Sequence, residues 1–436
     1  MTTTKRRHGV LAIAFTGMLL GLAGCGPSAP APGAAGFAAL DASAALFWDR
    51  QTTESGQLLR AIGDEFNAGW KGLPIKIERA GGYSEIFRKT TASIQARKLP
   101  AMSVAYESMT AEYVPTGAVA NLDDFVNSFS REDLDDFFPA VLASNRYEEL
   151  GGHYYSFPYT KSVLMMYYNR RVLDAAGIAT PPQTWDEFLA ACRAVKAKTG
   201  KPAYAASVDC STIDGMIFSR GGDIATSRTT HYDAPASVRV FEFLEILQKE
   251  GLAYQITPGT FDDEVALMND QIAFTIRTSS SLAGLELGFN DPAHWGMARI
   301  PQEDPAKPAT VLFGANVSVF NVGEAQQQTA LAFLKAFTNT ENSVRWAMAS
   351  GYLPLRKSAA NHPDMKKFWS AAPYNSAAFD CLPFARVEPN VAGWQEVRKA
   401  VEDAETAVLT GLKSGKEAAL SLKQAADAIL ARHTAK

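Results

Sequence analysis

Short apolar segments alternate with amphipathic segments through the first part of this chain. Ala45–Trp48, Pro74–Glu78 and Met102–Tyr106 have the pattern of short strands, either continuously apolar or alternating between apolar and polar residues. Between them, Gly56–Asn67 and Tyr83–Arg97 carry apolar residues at helical spacing. Strands separated by helices of this length usually pair in parallel. The alternation therefore predicts an α/β lobe built from βαβ units.

The chain is longer than a single hydrophobic core usually supports. Beyond its N-terminal leader and tether it has about 390 residues, so we expect two lobes. Hydrophobic residues make up 47% and charged residues 20% of the sequence, which is ordinary for a globular protein. The formal net charge of −4 gives no electrostatic reason to expect nucleic acid as a partner.

The pattern continues into the second half of the chain. Val163–Tyr168 and Val311–Phe320 are apolar enough to be strands, and residues 393–431 are helical and amphipathic. Thr184 followed by Glu187 forms a capping box, which predicts a helix from Trp185 to about Thr199.

The N-terminus has the features of an export signal. The basic residues 5–8 precede an apolar run, Val10–Leu22, that is too short for a comfortable membrane span. Leu22–Cys25 resembles the bacterial lipobox, which implies a signal peptide over residues 1–25 and lipidation of Cys25. The alternative is an ordinary signal peptide with an incidental cysteine. Residues 26–42, rich in Ala, Pro and Gly, predict a flexible tether to the membrane.

Three further cysteines follow Cys25. Cys192 or Cys381 could pair with Cys210 in an exported protein, and three buried free thiols are equally consistent with the spacing. No Cys/His cluster has zinc-ligand spacing, so we expect neither a metal nor another cofactor.

Several motifs, in a consistent order, resemble the extracellular solute-binding proteins of carbohydrate ABC importers. They are residues 167–178, residues 184–188, residues 270–281 and Gly351–Arg356. Within that family the motifs resemble those of the glycerol-3-phosphate-binding subunit. The resemblance implies a type II periplasmic-binding-protein fold, α/β in class, in which two lobes close over a small polar ligand for delivery to a membrane permease. We expect a monomer.

The resemblance also implies lobe boundaries and a multi-segment hinge. The N-terminal lobe would comprise residues 43–157 and about 305–353, and the C-terminal lobe residues 158–304 and about 354–436. The hinge would lie near residues 157–161, 300–310 and 353–356.

Ligand-binding residues follow from the same motifs. Carried onto this sequence they are Tyr83, Glu107, Ser162, Ser279, Gly314, Tyr352 and, near the C-terminus, Arg386. A carboxylate such as Glu107 accepts hydrogen bonds from polyol hydroxyls, whereas a phosphate prefers backbone N–H groups, hydroxyls and a guanidinium. The two tyrosines would supply flat apolar walls with polar tips.

Structural explanations compete with these assignments. Glu107 could cap a helix, Ser279 could belong to an ordinary loop, and Arg386 could be a solvated surface residue. Trp48 and Trp394 are possible cleft aromatics, although a core position is the more usual fate of a tryptophan.

Lys161 departs from the family pattern, because a small polar residue is expected there. It could add a positive charge for an anionic ligand, or fill space and change the ligand.

Three functions from different classes are compatible with these motifs. The sequence favours a binding protein for glycerol-3-phosphate or a glycerophosphodiester, and the alternative is a binding protein for a neutral sugar or oligosaccharide. An exported glycoside hydrolase needs two carboxylates facing one bond, and no such pair stands out. No nucleophile elbow follows a strand either, so we expect no catalytic residues and no enzyme activity.

Overall fold

The structure is a computed structural model that describes residues 36–226, 228–372 and 374–434. These residues belong to one compact unit. The predicted signal peptide, Cys25 and most of the tether lie outside the described residues, so lipid anchoring stays a prediction.

The strands have the following bounds: β1 Ala38–Ala39, β2 Ala45–Asp49, β3 Ile75–Arg79, β4 Lys98–Leu99, β5 Met102–Ala105, β6 Arg146–Tyr147, β7 His153–Tyr154, β8 Phe157–Pro158, β9 Ser162–Asn169, β10 Tyr204–Ala206, β11 Ala225–Thr226, β12 Thr229–Thr230, β13 Ala253–Gln255, β14 Phe274–Thr278, β15 Trp295–Arg299, β16 Thr310–Phe313, β17 Asn316–Val319 and β18 Ala385–Arg386.

The α-helices have the following bounds: α1 Thr53–Gly69, α2 Tyr83–Gln95, α3 Glu107–Tyr113, α4 Asp123–Asn127, α5 Arg131–Asp136, α6 Pro139–Ala143, α7 Arg170–Ala175, α8 Trp185–Thr199, α9 Cys210–Ser219, α10 Pro235–Lys249, α11 Asp262–Met268, α12 Leu282–Gly288, α13 Glu324–Phe337, α14 Thr340–Ser350, α15 Pro363–Ala371, α16 Trp394–Leu409 and α17 Gly415–Thr434. Short 3₁₀ helices lie at Val114–Thr116, Glu148–Leu150, Ser279–Ser281, Pro292–His294, Lys357–Asn361 and Phe379–Phe384.

The first sheet has the strand order β3-β2-β5-β17-β8. Strand β2 pairs in parallel with both β3 and β5, as the βαβ alternation predicts. Strand β17, from much later in the chain, pairs antiparallel with β5 and β8. The first sheet therefore combines three N-terminal strands with a returning segment.

The second sheet has the strand order β13-β10-β14-β9-β16-β18, with β15 also paired to β9. Along β9, residues 163, 165 and 167 enter one hydrophobic core, and residues 164, 166 and 168 enter another. Burial on both faces explains why this segment is apolar at every position. With a sheet in each half, the chain has the predicted two-lobed α/β fold of type II.

The predicted strand Val311–Phe320 is wrong in one respect. It consists of two strands in different sheets, β16 in the second and β17 in the first, separated at Gly314. Gly314 has φ +103°, in the left-handed region, which breaks the extended conformation. Because the residues on both sides of Gly314 are apolar, the hydrophobic pattern does not show that the chain changes sheet there.

The helix predicted from the Thr184 capping box is confirmed. Helix α8 spans Trp185–Thr199, with the Thr184 side chain accepting from the Glu187 N–H and the Glu187 carboxylate accepting from the Thr184 N–H. The C-terminal region is helical as expected, and it divides into α16 and α17 around Gly411, which has φ +73°.

The chain passes between the two sheets at residues 158–162 and 313–316. We call these two adjacent segments the crossing. The Leu353 N–H donates to the Lys161 carbonyl at 2.7 Å, so two of the predicted hinge segments also lie side by side. The predicted lobe boundaries and hinge stay predictions.

Candidate ligand-binding cleft

Gly314 lies where the two segments of the crossing are in closest contact. A Cβ atom at this position would lie 1.9 Å from the Thr160 carbonyl oxygen. Strand pairing continues on both sides, with Phe313 opposite Ser162 and Asn316 opposite Pro158. The close approach and the positive φ both require glycine here.

An ion pair between the buried Lys161 and the partly buried Glu107 lies beside the crossing. The Lys161 ammonium, which is fully buried, donates to Glu107 Oε1 at 2.9 Å and to the Gly314 carbonyl at 3.3 Å. The Asn316 side chain donates to the same carboxylate oxygen at 3.0 Å. Within the described part of the chain, Glu107 Oε2 receives no hydrogen bond. Lys161 thus neutralises Glu107, and one carboxylate oxygen remains as an acceptor.

Two tyrosines form a wall on one side of the cleft. The rings of Tyr83, at the start of α2, and Tyr106, after β5, have centroids 4.2 Å apart. Burial raises the pKa of both phenols above the usual value, so both are neutral near pH 7. We call this pair the Tyr83–Tyr106 wall.

An arginine stacks on each end of this wall. The Arg50 guanidinium carbon lies 4.6 Å from the Tyr83 ring centroid, and that of Arg398 lies 5.2 Å from the Tyr106 centroid. Cation–π contacts of this kind contribute about 0.5–2 kcal/mol each.

Arg50 connects the wall to Tyr352. Its Nη1 atom donates to the Tyr352 hydroxyl at 3.0 Å. Its Nε atom is shielded from solvent and has no hydrogen-bond partner among the residues that the structure describes.

Arg398 has acidic and hydroxyl partners. It donates to the Glu388 carboxylate and, at 2.8 Å, to the Ser211 hydroxyl. Its Nη2 atom lies 3.7 Å from Asp209 Oδ2. With Tyr83 and Tyr106 it lines a cavity of about 380 Å³.

The predicted serines hold backbone segments together. Ser162 Oγ accepts from the Thr278 hydroxyl at 2.8 Å, and Ser279 Oγ accepts from the Val163 N–H at 3.4 Å. Thr278 also caps the short helix Ser279–Ser281 by accepting from the Ser280 N–H. The expected loop and cap geometry is therefore present, beside the crossing.

Three predicted residues have other surroundings. Arg386 donates to the Gly222 carbonyl at 2.8 Å and pairs with Asp223 at 3.1 Å. Trp394 is fully buried in the second core, and Trp48 is half-buried against the first. Their assignment to the ligand stays a prediction.

Sequence reasoning missed Arg50 and Arg398. Arg398 follows Trp394 by four residues and precedes Val401 by three, so it lies on the buried face of α16. A charged residue on the apolar face of an amphipathic helix is uncommon, and this position could have indicated a functional role for Arg398. Arg50 directly follows β2, and ligands in α/β sheets bind beyond the carboxyl ends of strands.

The three cysteines at 192, 210 and 381 are free and buried, which confirms the free-thiol alternative.

One group of side chains in the described residues is close enough together to hold a metal ion: Cys210, Asp214 and Glu388. The Cys210 thiol donates to Asp214 at 3.4 Å, and Tyr232 donates to the same carboxyl at 3.1 Å. Burial raises the pKa of Asp214, and Glu388 accepts from Arg398.

Among the described helices, none has both the length and the apolar composition needed to cross a membrane.

Comparison with known proteins identifies the family. Residues 61–373 match the family model for bacterial extracellular solute-binding proteins. The sn-glycerol-3-phosphate-binding periplasmic protein UgpB of Escherichia coli K12 is 25% identical over 398 residues, covering 85% of this chain and 89% of that protein.

Solved structures share the fold. UgpB from Mycobacterium tuberculosis in complex with glycerophosphocholine has a TM-score of 0.79 at 23% identity, covering 90% of this chain and 99% of that one. The cyclic α-maltosyl-1,6-maltose binding protein of Arthrobacter globiformis has a TM-score of 0.76 at 21% identity, covering 91% and 99%. The chain therefore belongs to the bacterial extracellular solute-binding protein family and is an exported, non-enzymatic substrate-binding protein of an ABC importer.

Proposed function

We propose that this protein captures sn-glycerol 3-phosphate or a glycerophosphodiester between its lobes and delivers it to the permease. Lipidated Cys25 would hold it at the membrane, and it would act as a monomer. The observation that carries the proposal is the pair of guanidiniums, Arg50 and Arg398, on the two ends of the Tyr83–Tyr106 wall. A phosphorylated ligand benefits from a guanidinium, which forms charge-assisted hydrogen bonds with phosphate oxygens.

The polyol part of such a ligand has a complementary acceptor. Glu107 Oε2 is free to accept from hydroxyl groups, because Lys161 and Asn316 both donate to Oε1. Similarity to a glycerol-3-phosphate-binding protein over 85% of the chain supports the same ligand class.

A neutral sugar or oligosaccharide is the second candidate. The Arg398 guanidinium contacts the acidic residues Glu388 and Asp209, which reduces the charge it offers to a ligand. The tyrosine wall also provides a flat surface on which a sugar ring can stack.

A ligand panel separates the two candidates. The mature protein without Cys25 is heated with sn-glycerol 3-phosphate, glycerophosphocholine, maltose or glucose, and its unfolding midpoint is recorded. A ligand at 100-fold its Kd adds about 2.7 kcal/mol to the unfolding free energy, so a cognate phosphate ester raises the midpoint. A response confined to the sugars contradicts the phosphate proposal.

The C-terminal arginine that contacts the ligand is, we propose, Arg398 rather than Arg386. Arg398 lines the cavity beside the tyrosine wall, whereas Arg386 is engaged by Gly222 and Asp223. We expect Arg398→Ala to weaken sn-glycerol 3-phosphate binding about 30-fold or more in calorimetry, and Arg386→Ala to change it less than about threefold.

Folding must be separated from binding in this comparison, because Arg398→Ala removes a partner of Glu388. Thermal unfolding of both variants is therefore measured first, and Arg398→Lys, which keeps the charge, is included. If Arg386→Ala is the variant that loses the ligand, Arg386 is the binding arginine and the assignment to Arg398 is wrong.

A further inference from the structure

Three cations lie in or beside the cleft, and they differ in how their charge is compensated. Lys161 pairs with Glu107 at 2.9 Å. Arg398 pairs with Glu388 and lies 3.7 Å from Asp209. Arg50, in contrast, has no carboxylate within 4.0 Å among the described residues. The positive charge that is left for a ligand is therefore concentrated at Arg50.

The carboxyl group nearest to Arg50 in sequence has other partners. Asp49 Oδ2 accepts from the Gln51 N–H at 2.5 Å, and Oδ1 accepts from the Tyr159 hydroxyl at 3.0 Å. Burial raises the pKa of Asp49, which weakens its charge as a counter-ion for Arg50. Both oxygens of this carboxyl group are therefore engaged by other donors, and among the described residues it forms no ion pair with the Arg50 guanidinium.

The protein holds the Arg50 guanidinium in place without neutralising it. Tyr352 accepts from Nη1, Tyr83 lies beneath the guanidinium plane, and Nε is shielded yet unpartnered. Shielding part of a charged group from water without a counter-ion is unfavourable. A ligand anion would recover part of that cost by pairing with Arg50.

Arg50 also faces enough space for such an anion. With Tyr352 it lines a cavity of about 430 Å³, and Ser280 and Ser281 line the same cavity. The arginine and tyrosine belong to segments flanking the first sheet, whereas the serines follow β14 of the second sheet. A bound anion there would contact both halves of the protein.

Two acidic residues line this cavity too, and neither faces Arg50 as an ion-pair partner. Glu264 Oε1 lies 3.6 Å from Arg277 Nε, and Glu54 is exposed at the start of α1. Arg277 is held by Asp263 through two hydrogen bonds of 2.5 Å.

We propose that Arg50 anchors the anionic group of the ligand, a phosphate carried on a polyol, in the cavity that it forms with Tyr352, Ser280 and Ser281. The hydroxyl-bearing part then extends along the Tyr83–Tyr106 wall toward Glu107 and Arg398. This deepens the proposed function and rests on it. It also orients the ligand, with its charge at the β2 end of the cleft rather than at α16.

Calorimetry with sn-glycerol 3-phosphate tests this orientation. We expect Arg50→Gln to weaken binding about 100-fold, as truncating one partner of a buried charge pair does, and Arg50→Lys to recover part of the loss. Arg60→Gln, on the exposed side of α1, is the matched control and should bind like the wild type.

A pH series distinguishes an anion contact from a merely structural effect. The second phosphate pKa is about 6, so wild-type affinity should rise between pH 5 and 7.5 as the dianion forms. We expect that rise to be lost in Arg50→Gln and kept in Arg398→Lys, with thermal unfolding confirming that both variants fold.

The outcomes separate this inference from the function that it refines. If the wild type binds the phosphate ester and Arg50→Gln binds it equally well, the assignment of the anion contact to Arg50 is wrong, while the proposed function stands. If Arg50→Gln is weaker but keeps the full pH dependence, Arg50 does not contact the phosphate and the assignment fails as well. A wild-type protein that binds neither sn-glycerol 3-phosphate nor glycerophosphocholine overturns both proposals.

Discussion

Gly314→Ala is expected to destabilise the protein by about 3 kcal/mol or more, since a steric clash and an unfavourable backbone conformation act together. The new methyl group would lie 1.9 Å from the Thr160 carbonyl oxygen, and φ is +103°. Relief requires the two segments of the crossing to separate, which breaks strand pairing on both sides. Urea denaturation measures the loss as a lower midpoint.

Gly177→Ala is the matched control for this substitution. Gly177 also has a positive φ, +75°, but an added Cβ would meet nothing within 4 Å. Only the conformational penalty remains, about 1–2 kcal/mol. Equal losses in the two variants would show that the crossing tolerates a side chain, contrary to the close contact described.

Lys161→Met should lower the free energy of unfolding by about 2–3 kcal/mol, because it leaves the partly buried Glu107 carboxylate without its cation. Glu107 would keep only the Asn316 side chain as a donor. The same urea experiment measures the change.

Two further variants make the Lys161 result interpretable. Lys161→Met combined with Glu107→Gln should recover part of the lost stability, because no uncompensated charge remains. Lys307→Met removes an exposed lysine, 86% accessible and 3.8 Å from Asp304, and should leave the midpoint unchanged. A Lys161→Met protein as stable as the wild type would mean that this ion pair does not stabilise the fold.

Local signals in the sequence were sufficient to predict many of the helices and strands. The Thr184 capping box corresponds to a helix with the predicted bounds. The change of sheet at Gly314 was not accessible in this way, because β16 and β17 are both buried and apolar. Periodicity reports burial of a segment, not the sheet to which it belongs.

The candidate site likewise contains residues that the sequence pointed to and residues that only the structure brings together. Tyr83, Glu107 and Tyr352 were proposed as ligand-binding residues from the resemblance, and they lie near the crossing or the tyrosine wall. Arg50 was missed, because the sequence does not show whether a carboxylate lies close enough to an arginine to neutralise its charge. Lys161 was noticed as unusual, but its pairing with Glu107 depends on contacts between residues 54 positions apart.

The three buried cysteines affect how this protein reaches its native state. No cross-link connects Cys192, Cys210 and Cys381, and burial raises the pKa of each thiol, so the reactive thiolate form is scarce in the folded protein. Folding outside the cytoplasm therefore needs no oxidant to join these residues and no isomerase to correct their pairing. Once the native state has enclosed all three sulfur atoms, its unfolding midpoint should be the same in reducing and in mildly oxidising buffer.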